Sequence, residues 1–337
     1  MPQAYNKLAM ITVTYNSSKY IERLIKSVEE SSIKPLVWVF VDSGSRDGTV
    51  RLLNEISAKS SMNIEIISLK KNVGYSKGLN IAVESLQKRD IPDDLLLLVC
   101  NADGYFGRGS IERILTCYMK NGRVGMVQPL IMGTNGRIDS AGNLMSLSGI
   151  TCPNYSVTAK NFFYISGACF LIPLKVYLEV GGADPDIFMG ADDLDLSWRV
   201  MLRGFELKLC PKAVFFHYGI LERGISPKRM EWRVYSIIWT MTKCLPAHLI
   251  VFATSLCFLI HISASLILSV LKEDPLYIYS TVKALFRILK RTKLLIEKRH
   301  NVRRRVCVND RKILCRMSPT GLVLRMALRR YIHRGRD

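Results

Sequence analysis

An α/β fold, a mostly parallel sheet covered by helices and followed by a membrane-associated helical region, is predicted by three features of the sequence. Short apolar, β-branched runs alternate with helix-like patterns through the first hundred residues. The runs are followed directly by Gly, Asn, Asp and Ser, as strands ending in loops are. Much later, the 28 residues from Cys244 to Leu271 contain no Lys, Arg, Asp or Glu.

The elements follow in order. Leu8–Thr14, Leu36–Val41, Ile64–Leu69 and Leu95–Cys100 read as strands. Ser17–Glu29, Gly48–Ala58 and Gly74–Leu86 read as the helices between them. This βαβ rhythm implies parallel pairing, and in such sheets ligands gather outside the carboxyl ends of the strands. The residues to inspect there are Thr14, Tyr15 and Asn16; Asp42 to Ser45; Lys71 to Gly74; and Asn101 to Gly104. Residues 124–172 are broken into shorter runs by Gly and Asn, as expected of added antiparallel strands. A helix is expected from Asp192 to about Leu202, ended by Gly204, and a strand from Glu206 to Phe216 leads into His217.

Composition narrows the function. The chain has 337 residues, 49% hydrophobic and 23% charged, which excludes a disordered polymer. Its net charge of +20 raises nucleic acid as a partner, but from Lys283 onward 18 Lys and Arg face three acids, a net of +15 that leaves only +5 for the rest. That basic stretch has only Tyr331 as an aromatic after Phe286 and no zinc or helix-turn-helix pattern, so anionic lipid is the expected partner and nucleic acid is not. The nine Cys form no C-x-x-C pair and are expected to be reduced. The first 16 residues do not have the pattern of a secretory signal. A dinucleotide-binding enzyme would need G-x-G-x-x-G after the first strand, where this chain has Thr14-Tyr15-Asn16-Ser17-Ser18.

The apolar run 244–271 is long enough to cross a bilayer, since a 20-residue helix already spans ~30 Å. Behind it, Ile278, Val282, Leu285, Phe286 and Leu289 alternate with Lys283, Arg287, Lys290 and Arg291, the pattern of a helix lying in an anionic interface. Four basic residues precede the run and five follow it within 20 positions, so charge bias favours neither end and both flanks read as cytoplasmic. A helix that enters and returns, bending near Ser263–Ser265, or that lies deep in the interface, is therefore expected over a simple span.

Two clusters carry chemistry. Asn101-Ala102-Asp103 puts an amide and a carboxylate oxygen at a strand end, donors that hard divalent cations prefer, although the same string also makes turns. Asp192-Asp193-Leu194-Asp195 places three carboxylates at a helix start; capping explains one or two, and crowding raises the pKa of the others toward that of a general base.

The ordered set of motifs resembles the family 2 glycosyltransferases of the GT-A fold, particularly membrane-associated rhamnosyltransferase-like and galactofuranosyltransferase-like members. These motifs are Val13-Thr14-Tyr15-Asn16, Val41-Asp42-Ser43-Gly44-Ser45-x-Asp47-Gly48-Thr49, Asn72-x-Gly74-x-x-x-Gly78-x-Asn80, Asn101-x-Asp103, Ser166-Gly167-Ala168, Asp192-Asp193-x-Asp195-Leu196-x-Trp198-Arg199, and His217 with Ser226. The resemblance covers about residues 7–300. It implies an inverting transfer of a sugar from a nucleotide-diphosphate donor to a hydroxyl of a lipid-linked or glycan acceptor, at the cytoplasmic side of the cell membrane. Thr14, Tyr15, Asn16, Asp42, Asn72, Gly74, Gly78, Asn101, Gly167 and Ala168 would line the donor site, the glycines by letting backbone approach ribose and diphosphate. Asp103 and His217, with Asn101 beside them, would hold Mg2+ or Mn2+. Asp193 would be the base, with Asp192 supporting it. Asp195, Trp198 and Arg199 would lie on the acceptor side, with core packing the other reading of Trp198. The implied layout is a catalytic domain over 1–232, an apolar helix and an interfacial helix over 233–300, and a basic tail over 301–337. Because Asn101 stands where relatives often carry Asp, a catalytically silent nucleotide-sugar-binding or scaffold member is the alternative.

Overall fold

The structure, a computed structural model, describes residues 7–119, 122–158, 162–219 and 226–334, with side chains to residue 327. The expected rhythm is present as β1 (Leu8–Thr14), α1 (Ser18–Glu29), β2 (Val37–Asp42), α2 (Thr49–Ser57), β3 (Ile64–Ser68), α3 (Tyr75–Gln87) and β4 (Leu96–Cys100). Then come β5 (Gly104–Phe106), α4 (Ser110–Met119), β6 (Val124–Gly133), β7 (Ile138–Ser140), β8 (Asn143–Met145), β9 (Thr151–Pro153), β10 (Cys169–Pro173), α5 (Leu174–Glu179), α6 (Asp192–Leu202) and β11 (Glu206–His217).

The main sheet has the order β3-β2-β1-β4-β10-β6-β11-β5, with β7 paired to β6, and β8 and β9 form a separate ribbon. β1 pairs parallel with β2 and β4, while β10 runs antiparallel between β4 and β6. Strand alternation explains the two cores: Ala9 and Ile11 of β1 face one side with α3, and Leu8 and Met10 face the other with α1. α1 meets that second core with Ile21, Leu24, Ile25 and Val28, one stripe at helical spacing.

The C-terminal third packs back on this body. α7 (Pro227–Cys244) is capped by Ser226, whose hydroxyl accepts the Arg229 N–H, and buries Val234, Tyr235, Ile237, Trp239 and Met241. α8 (Ala247–Leu271) is one unbroken helix. No break interrupts it near Ser263–Ser265, where the chain was expected to turn back; Ser263 donates its hydroxyl to the Leu259 carbonyl at 2.9 Å, and Ser265 shares a hydrogen bond with Thr281 of α9 (Leu276–Lys290). Ala253 and Cys257 seat α8 on the body, close to Gly149, where a Cβ would come within 2.4 Å of the Cys257 sulfur. The other side of α8 and α9 exposes Val251, Phe252, Leu259, Leu266, Ile267, Val270, Leu271, Leu276 and Phe286. α8 is the one helix among the described residues long and apolar enough to cross a membrane. α9 returns to α7, where Lys283 and Arg287 both pair with Glu231.

α10 (Thr292–Arg303), α11 (Asp310–Leu314) and α12 (Thr320–Arg334) follow. The segment expected as a basic tail is laid on the body over its described part: the Cys307 N–H donates to the Leu202 carbonyl, the Ser318 N–H donates to Met145, and Val323 is buried against Leu144, Ile150 and Cys152.

Candidate functional site

The carboxyl ends of β1, β2 and β4, the first turn of α6 and the end of β11 carry most of the residues singled out in the sequence. Asp42 is fully buried, and its acceptors serve the loop: Thr14 donates at 2.9 Å, the Gly44 and Ser45 N–H groups at 3.1 and 2.9 Å, and the Ser45 hydroxyl donates as well. Asn16, at φ 50°, accepts the Arg46 N–H and donates its own N–H to Ser45, tying the β1 loop to the β2 loop. Asp47 joins them further, accepting from Ser18 and Thr49; burial opposes its ionisation, but these hydrogen bonds outweigh it and hold its carboxyl below the usual range. Tyr15, half exposed, donates its backbone N–H to the Ser17 hydroxyl at 3.3 Å, and the Ser17 N–H in turn donates to Thr49.

Asn72 accepts the Ser43 hydroxyl at 3.3 Å and the Gly74 N–H at 2.9 Å. The two glycines beyond it are closely packed. A Cβ on Gly74 would lie 2.6 Å from the Phe188 carbonyl oxygen, and one on Gly78 would lie 2.7 Å from the Val13 side chain. The space they leave is filled by the protein itself, so both bring α3 close to its neighbours.

The acid block of α6 divides in two. Gly190 and Ala191 take consecutive left-handed conformations, φ 80° and 64°, and turn the chain into the helix so that Asp192 and Asp193 stand half-buried at its first turn. Asp193 accepts the Gly167 N–H at 3.0 Å and the Leu194 N–H at 2.8 Å, while Asp192 accepts the Gly190 N–H at 3.1 Å. Burial, and for Asp192 the charge of Asp193, raise both carboxyls, Asp192 to about 7. Two like charges this close share a proton, and the backbone donors on Asp193 favour placing it on Asp192. The Tyr75 hydroxyl donates to the Gly167 carbonyl at 3.4 Å on the same side. Asn101 and Ala168 meet through the Asn101 N–H and the Ala168 carbonyl, which locks the end of β4 to the loop before β10.

Asp195, Trp198 and Arg199 are not part of this face. Asp195 is wholly buried, bonded to Arg199 at 2.7 Å and Lys243 at 2.6 Å. Trp198 is packed edge-on to Phe163, and Arg199 also donates to the Val180 carbonyl. Helical spacing turns them inward, so the acceptor-side expectation is corrected: all three belong to the core. The ionic chain continues from Lys243 to Asp184, then through Lys298 to Asp186 and Arg291.

His217, 7% exposed at the end of β11, lies with Nε2 3.3 Å from Asp103 Oδ1 and Nδ1 3.3 Å from Asp139 Oδ2. Burial favours a neutral ring, but the two carboxylates outweigh it and push its pKa up to about 9. Nε2 is within ion-pairing distance of Asp103 but makes no aligned hydrogen bond, which leaves a buried nitrogen beside a carboxylate oxygen. An imidazole and a carboxylate brought together in this way fit two corners of a divalent-cation site completed by a phosphate-bearing ligand. Among the described residues no group of three or more His, Cys, Asp or Glu forms a closed cage.

Sequence reasoning missed Asp139 and the serine and threonine web around Asp42 and Asp47. Asp139 has no motif around it that marks it, whereas Asp47 already lay inside the quoted Asp42–Thr49 string.

The profile of Glycosyl transferase family 2 matches residues 10–181. N-acetylglucosaminyl-diphospho-decaprenol L-rhamnosyltransferase of Mycobacterium tuberculosis is 24% identical over 245 residues, 65% of this chain and 78% of the relative. Among solved structures, S. aureus TarS 1–349 in complex with UDP-GlcNAc matches with a TM-score of 0.55 at 19% identity, covering 91% of this chain and 90% of that one. GalNAc-T7 with UDP, GalNAc and Mn2+ matches with a TM-score of 0.57 at 14% identity, over 72% of this chain and 48% of that one. The shared architecture is the GT-A fold.

Proposed function

The chain belongs to glycosyl transferase family 2 and is a sugar transferase that uses a nucleotide-sugar donor, and from that premise we propose that it is an inverting enzyme acting on a lipid-linked or glycan hydroxyl at the cytoplasmic face of the cell membrane. The observation that carries the reading is the Asp192–Asp193 pair, left without a cationic side-chain hydrogen-bond partner and facing Gly167 at the carboxyl edge of the sheet.

Asp193, held by two backbone N–H groups, is aimed and ionised, while Asp192 carries the proton the pair retains near neutral pH. An acceptor hydroxyl gives its proton to Asp193 as its oxygen bonds to the anomeric carbon from the face opposite the leaving nucleoside diphosphate. The loops held by Asp42, Asn16 and Asn72 form the donor pocket, with Thr14 and Tyr15 on its β1 side and Asn101, Gly167 and Ala168 on its β4 side. Asp103 and His217, with the amide oxygen of Asn101, would hold Mg2+ or Mn2+, which supplies charge neutralisation for the departing diphosphate. The acid pair favours this catalytic reading over a silent one. The apolar ridge of α8 and α9 would lie in the lipid interface and bring a lipid-linked acceptor to the site.

The test is transfer of labelled sugar from a panel of UDP-, dTDP- and GDP-sugars to polyprenyl-diphosphate-linked acceptors in phospholipid vesicles. Transfer with inversion that is lost in Asp193→Asn, with nucleotide binding retained, supports the reading. Full turnover by Asp193→Asn, or retention of configuration, overturns it.

A further inference from the structure

His217 has a second carboxylate neighbour that the transferase reading leaves without a role. β7 pairs with β6 antiparallel, Ile131 opposite Ser140 and Met132 opposite Ile138. Adjacent residues of β6 therefore face residues two apart on β7, and Asp139 is the extra residue at this β-bulge. Bulges of this kind re-aim a side chain out of the strand's alternation. On its other edge β6 pairs parallel with β11, His217 opposite Gly133. The bulge and the end of β11 thus flank the same stretch of β6, and the carboxylate of the bulged residue reaches the imidazole, Oδ2 to Nδ1 3.3 Å.

The two carboxylates occupy opposite ring nitrogens. Asp139 is on Nδ1 and Asp103 is on Nε2, so the three cannot close on one ion, in keeping with the absence of a three-ligand cage among the described residues. The two contacts also differ in kind. Nδ1 has a hydrogen-bond geometry toward Asp139, whereas buried Nε2 has none. A neutral imidazole carries one proton, and the hydrogen bond made by one nitrogen decides which nitrogen keeps its lone pair. Once the ring is neutral, Nδ1–H donated to Asp139 leaves the lone pair on Nε2, beside Asp103.

We propose that Asp139 is a positioning residue: from its bulge on β7 it fixes the Nδ1–H tautomer and the ring orientation of His217, so that Nε2 presents its lone pair to a divalent cation shared with Asp103. The proposal rests on the metal reading given above, but it makes a separate claim about a tautomer. Outer carboxylates that bond ligating histidines change metal affinity by ~10–100-fold when removed.

The experiment uses the full chain in phospholipid nanodiscs, wild type against Asp139→Ala and Asp139→Asn, with His217→Ala identifying the resonances. Histidine 15N NMR, at a pH where the ring is neutral, reads the tautomer of His217 without metal. Free Mn2+ measured by EPR reads affinity. The expectation is an Nδ1–H ring in the wild type, kept in Asp139→Asn because the amide oxygen still accepts, and turned to Nε2–H in Asp139→Ala, with Mn2+ bound ~10–100-fold more weakly by the alanine variant. If Asp139→Ala keeps the Nδ1–H tautomer and wild-type Mn2+ affinity, Asp139 does not position the ring and the proposal is overturned. Should the wild type bind no Mn2+ while the tautomer still depends on Asp139, the positioning stands and the metal reading fails. Were Asp139→Ala to unfold, Asp139→Asn against His217→Ala decides: an asparagine variant with an Nε2–H ring overturns the proposal.

Discussion

Two carboxylate sites a single turn apart on α6 have opposite surroundings. Asp195 is sealed in the core and bonded to Arg199, Lys243 and Thr240. Asp192 and Asp193 face the sheet edge, and among the described residues their hydrogen-bond donors are backbone N–H groups. The same residue type, two positions along one helix, is made structural by bonded cations in one place and kept basic in the other by burial, which there outweighs the pull of Arg233 on Asp193. A sequence block of three acids is thus two devices, separated by what each carboxylate is bonded to: Arg199, Lys243 and Thr240 for Asp195, backbone N–H groups for the pair.

The sharpest way to break the comparison is to neutralise one member of each site. Asp193→Asn should lower kcat by ~10²–10⁴, the range of a lost general base, with donor KM and thermal midpoint nearly unchanged. Steady-state transfer assays check it; an Asp193→Asn enzyme within a few-fold of wild type would move the base elsewhere. Lys243→Met should do the reverse. It leaves Asp184 and Asp195 buried without their shared cation, and removing one partner of a buried pair costs ~3–5 kcal/mol. Denaturant unfolding should show that loss, with kcat per folded molecule little changed.

A third, smaller effect separates the sites by pH. Because the pair gives up its last proton from Asp192 at about 7 while Asp193 is already ionised, kcat should hold as pH drops through that region and fall only at the lower step where Asp193 is protonated, a fall that Asp192→Asn, neutral as Asp192 is there, should leave in place. The smallest effect is on stability, and its sign differs between the sites. Asp192 has a folded pKa above its unfolded value, so its ionisation weakens the fold as pH rises from about 3.8 to about 7. Asp184, which burial opposes but Lys243 and Lys298 hold far below the ordinary range, contributes stability above its unfolded value that is lost as pH falls. Asp192→Asn should therefore raise the thermal midpoint at pH 8 but not at pH 4, and Asp184→Asn should lower it at pH 8.

The parts of this molecule governed by local periodicity were readable in its sequence. β1 and α6 occupy the expected residues, and the strand-end loops hold most of the site because parallel sheets present their carboxyl ends together. What was illegible depended on direction or on distant partners. Nothing near Gly78 indicates that Val13 fills the space beside it. Nothing near Trp198 indicates that Phe163 receives it. The role of Asp139 needs β6 to carry β7 on one edge and β11 on the other, so that residues 78 apart in the chain meet across it. The sequence also reads the basic residues from Lys283 onward as lipid-facing, yet Lys283, Arg287, Arg291 and Lys298 pair with acids of the body.

The apolar ridge of α8 has a consequence for the chain away from any bilayer. Val251 is 77% exposed and Val270 70%, at the two ends of a helix whose inner side is already committed to Gly149 and α9. Water is a poor neighbour for so continuous a strip, and patches of this kind close on amphiphile or on one another. Sedimentation of the purified chain should therefore track detergent: a single mass above the micelle concentration, and larger, polydisperse species as detergent is withdrawn.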